Sequence, residues 1–166
     1  MKKIFYWSPI TSNIATKKAV INSAKSLVKY SEKYKVTLIN VAGEFNSLDC
    51  DDKKIHVHNL SNKLINKKYI GKGYFKTRLE MIYIFINSFF PLFSLIKKQK
   101  PDFLIVHLLT SLPLIIFLLF NFNTKLILRI SGLPKINIFR YLLWKICLKK
   151  VHFITCPTLL TIDYLK

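Results

Sequence analysis

The chain has 166 residues, a formal net charge of +19, and an apolar content of 51%. This length is enough for one domain with a core, and the apolar content excludes a disordered chain. The charge is uneven, because residues 53–166 carry nineteen basic and three acidic residues. Such a field favours anionic partners such as phosphates, lipid headgroups or nucleic acid, although a lysine-rich background composition gives the same excess.

Cysteine usage and the N-terminus predict a cytoplasmic protein. The three cysteines form no CxxC pair and are odd in number, which suits a reducing compartment. Residues 4–7 are the only apolar run before Ser8 and Pro9, and this run is too short for the core of a signal peptide.

The first part of the chain predicts a strand–helix–strand unit. Residues 3–7 read as a short apolar strand, and a loop of proline and small polar residues follows at 8–13. Residues 15–33 place apolar side chains at helical spacing, and residues 36–41 form the second strand. Two strands joined through a helix predict a parallel pair with a right-handed crossover.

The next part predicts an edge strand, a basic loop and a long helix. Residues 54–58 alternate in polarity, which is typical of a strand. Residues 59–76 contain two glycines and several lysines, so we expect a mobile basic loop. Residues 77–99 carry apolar side chains over a wide helical face, and Pro91 is expected to kink this helix.

The apolar run at 103–122 has two interpretations. Its twenty uncharged residues are enough to cross a bilayer as one helix. Alternatively, 103–106 is a buried strand, 111–122 a buried helix and 125–130 the next strand. The Lys-Pro-Asp turn before the run, and the small polar residues between the proposed strand and helix, favour the second interpretation.

The last part predicts a basic helix at 138–150, an apolar strand at 151–156 and the start of another helix after Pro157 and Thr158. The order of strands and helices over the whole chain predicts an α/β domain. We expect a Rossmann-like, doubly wound, mostly parallel sheet with helices on both faces.

Ligands of such sheets bind outside the carboxyl ends of the strands, where helix N-termini suit phosphates and sugar hydroxyls. Four loops meet this rule, at 8–16, 107–111, 131–134 and 157–158, and all carry small hydroxyl or amide residues. Arg129 joins them, because a charge that ends an apolar strand is costly unless it is paired or faces a cleft. The candidate substrate-binding residues are Ser8, Pro9, Ser12, Asn13, Thr16, His107, Thr110, Ser111, Arg129, Ser131, Gly132 and Thr158.

Some candidate chemistries have simpler explanations. His107 is a substrate-binding or catalytic candidate, and the alternative is a half-buried histidine bonded to the backbone. His56 and His58 share a strand face without a third ligand nearby, so we expect no metal site. The chain has four glycines and no GxGxxG after its first strand, which argues against a dehydrogenase. No residue is assigned as catalytic.

Four segments together resemble a known family: KIFYWSPITSNIATKKAV, KPDFLIVHLLTSLP, TKLILRISGLPKINIFRYLLWK and FITCPTLLTIDYL. Their order and spacing, over nearly the whole chain, resemble the N-terminal domain of bacterial glycosyltransferases of the GT-B fold, family 4 type. In one departure, Ser131 and Gly132 stand where many relatives have His-Gly, so that catalytic histidine is not carried over. In the other, the donor domain with its paired glutamates is absent.

The resemblance implies that residues 1–166 are the acceptor-side Rossmann-like domain, with the C-terminal donor-binding domain missing. The implied reaction moves a sugar from a nucleotide-sugar, without metal or other cofactor, to a glycan or lipid-linked acceptor in cell-surface polysaccharide or lipopolysaccharide synthesis. The implied partners are these substrates and the missing domain or a split partner. By the same implication, the 8–16 loop approaches the donor phosphates and acceptor, while His107, Thr110 and Ser111 line the acceptor cleft.

Two other classes of function stay open. One is a small basic integral membrane protein that spans at 103–122, and at 81–96 as well. The other is a nucleic-acid-binding module, but the lysines form no helix-turn-helix or RNA-binding pattern, so we expect no nucleic-acid partner. The basic loop at 59–76 and the basic helix at 138–150 predict instead a peripheral position at the anionic inner face of the membrane.

Overall fold

The structure, a computed structural model, describes residues 1–9, 15–46, 54–61, 74–132 and 137–165, without the side chains of 74–77, 164 and 165. Most of the predicted basic loop at 59–76 lies outside these residues. The strands in the described ranges are β1 (Lys2–Trp7), β2 (Tyr34–Asn40), β3 (Ile55–Asn59), β4 (Phe103–Val106), β5 (Lys125–Arg129) and β6 (Val151–Thr155). The helices there are α1 (Ala15–Tyr30), α2 (Tyr74–Gln99), α3 (Ser111–Leu119), α4 (Ile138–Cys147, with a 3-10 turn at Leu148–Lys150) and α5 (Leu159–Leu165).

The strands form one parallel sheet in the order β3-β2-β1-β4-β5-β6. β1 is central, and the chain builds outward from it first to one side and then to the other. Right-handed crossovers therefore place α1 on one face and α2, α3 and α4 on the opposite face. The predicted class, a Rossmann-like doubly wound α/β sheet with helices on both faces, is confirmed.

Side chains of β1 alternate between two cores. Ile4 and Tyr6 pack with residues of α1, and Phe5 and Trp7 pack with residues of α2, α3 and α4. Tyr6 and Trp7 have almost no exposed surface. A strand covered on both faces must be apolar throughout, which explains the sequence of residues 4–7.

The apolar run at 103–122 is a strand followed by a helix, so the prediction of one spanning helix there is wrong. β4 forms parallel pairs with β1 and β5, and α3 begins only at Ser111. The backbone between them is not helical, and Leu109 has a φ of +47°. Pro113 lies in the first turn of α3, where its missing N–H breaks no helical hydrogen bond.

The predicted Lys-Pro-Asp turn fixes the amino ends of three strands. The Asp102 carboxylate accepts a hydrogen bond from the Lys3 backbone N–H at 2.7 Å. The Asp102 N–H donates to the Lys3 carbonyl, and the Lys125 N–H donates to the Asp102 carbonyl, both at 2.9 Å. One residue thereby ties β4 to β1 and β5 at this edge.

Helix α2 is buried at its C-terminal end and exposed near its N-terminal end. Leu92, Leu95 and Ile96 lie in the core, whereas Ile82 and Ile86 are more than half exposed. Among the described residues, Arg78–Gln99 is long and apolar enough to cross a membrane, with 28% of its apolar window buried in the fold. A core helix of a water-soluble protein passes the same test, so the finding by itself does not place α2 in a bilayer.

The backbone of Lys100 generates a stability prediction. Its φ is +46°, and its N–H donates to the Ile96 carbonyl at 2.9 Å, so Lys100 ends α2 in the left-handed region. A side chain costs roughly 1–2 kcal/mol in this conformation. We expect Lys100→Gly to raise the free energy of unfolding in urea titrations by about 1 kcal/mol, net of the entropy of glycine.

The matched control is Lys98→Gly, an exposed position in the last turn of α2. This variant should lose about 1 kcal/mol, because glycine is a poor helix former. An equal loss in both variants would contradict the left-handed cap at Lys100.

Candidate functional site

A cleft of about 660 Å³ lies at the carboxyl edge of the sheet, beyond β4 and β5. The N-terminal turns of α3 and α4 and one side chain of α2 complete its wall. Six of the residues predicted from the sequence line this cleft together: His107, Thr110, Ser111, Arg129, Ser131 and Gly132. The rule that places ligands at the carboxyl ends of parallel strands therefore leads to a real concavity here.

Trp7 holds the loop between β4 and α3. The His107 backbone N–H donates to the Trp7 carbonyl at 2.9 Å, and the Trp7 indole N–H donates to the Leu109 carbonyl at 3.4 Å. Leu109 needs this support, because its positive φ is unfavourable for a residue with a side chain. The loop that carries His107, Thr110 and Ser111 is thus fixed by the neighbouring strand.

The His107 imidazole is buried and neutral near pH 7. Its ring centroid lies 5.8 Å from that of Tyr6. Burial, together with the positive charge of Arg129, lowers the pKa of His107 to about 4. Its Nε2 atom is buried and has no hydrogen-bond partner in the described part of the chain.

Ser8 is a second buried polar group at the same edge. It has no exposed surface, and its Oγ has no hydrogen-bond partner among the described residues. Trp7 and Val106 are paired in register, so Ser8 and His107 each stand one residue beyond a paired position. Because buried polar atoms nearly always have a partner, two such atoms on adjacent strands point to a bound ligand or an ordered water.

Arg129 supplies positive charge to the cleft. It is the last residue of β5, is half-buried, and also lines a second groove against α1. The same charge opposes the effect of burial on the Tyr6 hydroxyl, whose pKa is nevertheless raised by that burial. The N-terminus of α3 opens into the cleft at Thr110 and Ser111, and its helix dipole adds partial positive charge there.

The other predicted site residues do not line this cleft. Ser12 and Asn13 lie outside the described residues, and Thr16 is in the first turn of α1. Pro9 is buried beside Ser8. Thr158 caps α5, since its Oγ accepts from the Thr161 backbone N–H at 3.3 Å.

Eight further residues of the cleft wall are absent from the predicted site residues: Met81, Leu108, Leu109, Ile130, Phe139, Arg140, Leu143 and Trp144. The rule that places ligands at the carboxyl ends of strands could have identified Phe139 and Arg140, because they start the helix that follows β5. Asn137 caps that helix, with its side-chain oxygen accepting from the Arg140 N–H at 2.8 Å. The sequence around Met81 does not indicate a cleft residue, because α2 follows β3, which lies at the far edge of the sheet.

A polar cluster after β2 has a structural role. The buried Glu44 carboxylate accepts from the backbone N–H groups of Val41 and Ala42, and burial raises the pKa of Glu44. The Asn40 amide donates to the side-chain oxygens of Asn46 and Asn59. These groups satisfy one another within their own loops, so they offer no open ligand position.

No group of three or more His, Cys, Asp or Glu side chains in the described ranges has the arrangement of a metal site. The polar groups of the cleft are a neutral imidazole, hydroxyls and guanidinium groups. Such groups bind hydroxyls and anions by hydrogen bonding and charge.

Neither protein-family models nor curated protein sequences match the chain. A crystal structure of UGT73P12 from Glycyrrhiza uralensis, complexed with glycyrrhetinic acid 3-O-monoglucuronide, is similar to it with a TM-score of 0.56 and 12% identity. The match covers 79% of this chain and 28% of the plant protein, a GT-B glycosyltransferase. At this identity the likeness shows the fold: the chain resembles one Rossmann-like half of a GT-B structure.

The burial of His107 makes stability depend on pH. An unfolded histidine has a pKa near 6.5, so between about pH 6.5 and 4 the unfolded chain binds a proton that folded His107 does not. The free energy of unfolding should therefore fall by about 3 kcal/mol as pH drops through this window. Urea titrations of wild type and His107→Gln at several pH values measure this effect.

His107→Gln should show a flatter pH dependence between pH 6.5 and 4. His152→Gln, at an exposed position of β6, is the control and should keep the wild-type slope. A wild-type slope in His107→Gln would show that the buried imidazole does not titrate as described.

Proposed function

We propose that this chain is the acceptor-side part of a glycosyltransferase, which moves a sugar from a nucleotide-sugar to a hydroxyl acceptor. The single observation that carries the proposal is the buried, neutral His107 with an unpartnered Nε2, at the carboxyl edge of a GT-B-like fold. A neutral imidazole nitrogen can accept a hydrogen bond from an acceptor hydroxyl. The role proposed for His107 is to bind and orient that hydroxyl.

The charges of the cleft support an anionic co-substrate. Arg129 and the N-terminus of α3 face the same space, and the diphosphate of a nucleotide-sugar is the matching anion. We propose that a second domain or a split partner holds most of the donor. The chain matches 28% of its structural neighbour's length, so a complete transferase of that kind is a much longer protein.

The apolar part of the cleft wall supports an acceptor with an apolar portion. Met81, Phe139, Leu143 and Trp144 line one side, opposite the polar groups of the strand ends. A lipid-linked sugar has both characters, a polar hydroxyl and a hydrocarbon region. We therefore propose a glycan or lipid-linked acceptor of cell-surface polysaccharide synthesis, as the resemblance to bacterial family 4 enzymes implies.

Transfer can be measured with the full gene product, a panel of nucleotide-sugars and membrane-extracted acceptors. Release of nucleoside diphosphate and labelling of the acceptor are the two readouts. Loss of one hydrogen bond to the acceptor should raise the acceptor KM about five- to tenfold in His107→Ala and in Ser131→Ala. The fold should stay intact in both variants.

The matched controls are His152→Ala on β6 and Ser26→Ala on α1, which are exposed and lie away from the cleft. They should keep the wild-type KM. An unchanged acceptor KM in both cleft variants would show that these loops do not contact the acceptor. No transfer from any nucleotide-sugar would contradict the proposed function itself.

A further inference from the structure

Two helices expose large apolar side chains beside the cleft. On α2 these are Leu79, Met81, Ile82, Tyr83, Ile86 and Phe90, and on α4 they are Ile138, Phe139, Tyr141, Leu142 and Ile146. The exposed fraction reaches 73% at Phe90 and 80% at Phe139. Met81 and Phe139 line the same cleft, so each helix contributes one of these side chains to it. We call them together the α2–α4 surface.

The exposed side of α4 differs from that of an ordinary surface helix. Trp144 and Cys147 are its buried residues, and its outward positions should then be polar. Besides Arg140 and Lys145, they carry isoleucine, phenylalanine, tyrosine and leucine. An apolar surface of this extent on a water-soluble fold marks an interaction site.

The charges on this surface are almost all positive. α4 and the turn after it carry Arg140, Lys145, Lys149 and Lys150, all exposed, with no acidic residue among residues 138–150. On α2 the acidic residue among the described side chains is Glu80, whose Oε1 is buried. The Lys145 ammonium lies 5.9 Å from the centre of the Tyr141 ring, so cationic and apolar groups are interleaved.

We propose that the α2–α4 surface docks on the anionic face of a lipid bilayer, with its apolar side chains in the headgroup region and its cations on the phosphates. Large apolar side chains flanked by lysine and arginine are what interfacial binding requires. A protein partner with a purely apolar patch would leave the cations unmatched, whereas anionic phospholipids match both features. Charge complementarity therefore favours a membrane surface as the occupant.

The structure favours docking over spanning. Leu92, Leu95 and Ile96 of α2 are buried against the sheet, in the core that contains Phe5 and Trp7. Insertion of α2 across a bilayer would remove these side chains from that core. Docking uses the side of α2 that is already exposed and leaves the core unchanged.

Membrane binding is independent of the proposed sugar transfer, because it needs neither donor nor acceptor. If both hold, docking brings the mouth of the cleft to the headgroup level, since Met81 and Phe139 belong to both surfaces. Absence of sugar transfer would not contradict membrane binding, and absence of membrane binding would not contradict sugar transfer.

The experiment is co-sedimentation of the full chain with phosphatidylcholine vesicles, with and without phosphatidylglycerol. We expect binding to the anionic vesicles, weakening at high salt, and release by alkaline carbonate. Lys145→Ala with Lys149→Ala should weaken binding by more than about tenfold. Phe90→Ser with Phe139→Ser should weaken it comparably while the circular dichroism spectrum and melting temperature stay unchanged.

The matched control is Lys25→Ala with Lys29→Ala, which removes the same charge from exposed positions of α1 on the opposite face. This pair should bind as wild type does. An equal loss in both lysine pairs would show attraction by net charge alone and would overturn the proposal. Resistance to carbonate would mean that α2 spans, and dimers without vesicle binding would mean that a second copy covers the surface; either result overturns it.

Discussion

β1 forms parallel pairs with β2 on one side and β4 on the other, and the helices that lead to these two neighbours, α1 and α2, pack on opposite faces of the sheet. Right-handed crossovers require this separation once the strand order reverses direction at β1. No described helix then crosses the carboxyl edge between β1 and β4, so polar residues can stand there. Ser8 and His107 occupy those positions, and the cleft opens beside His107.

Burial of His107 and the two arginines of the wall, Arg129 and Arg140, set the charge of this cleft. His107 is neutral above about pH 4, because burial and the nearby positive charge of Arg129 lower its pKa. The arginines supply the positive charge that faces the cleft, and the imidazole acts as a hydrogen-bonding group. The acceptor-side role proposed above needs these two properties, positive charge for an anion and a neutral hydrogen-bonding group for a hydroxyl.

Much of the fold could be predicted because the turn residues in the sequence mark the ends of the same strands and helices that pack together in the structure. Pro101 and Asp102 marked the turn before β4, and residues 4–7 of β1 and all residues of β4 were apolar on both faces. Three features could not be predicted, because each depends on a distant residue. The left-handed Leu109 needs the Trp7 indole, Met81 reaches the cleft from a helix after β3, and α3 ends early at Phe120, whose ring packs 4.3 Å from that of Phe93. Thr158 lies in a loop after the carboxyl end of a strand, where ligands are expected, but its side chain caps α5.

The central place of β1 also governs how the chain can fold during synthesis. Tyr6 is paired with Leu38 on one side and with Ile105 on the other, so its second neighbour arrives about a hundred residues later. At ribosomal rates of about 5–20 residues per second, one edge of this apolar strand waits roughly 5–20 s for its partner. The most buried strand of the finished sheet is therefore the one exposed longest on the nascent chain. Slower translation through residues 40–106 would lengthen the time for which this apolar edge can pair with another chain.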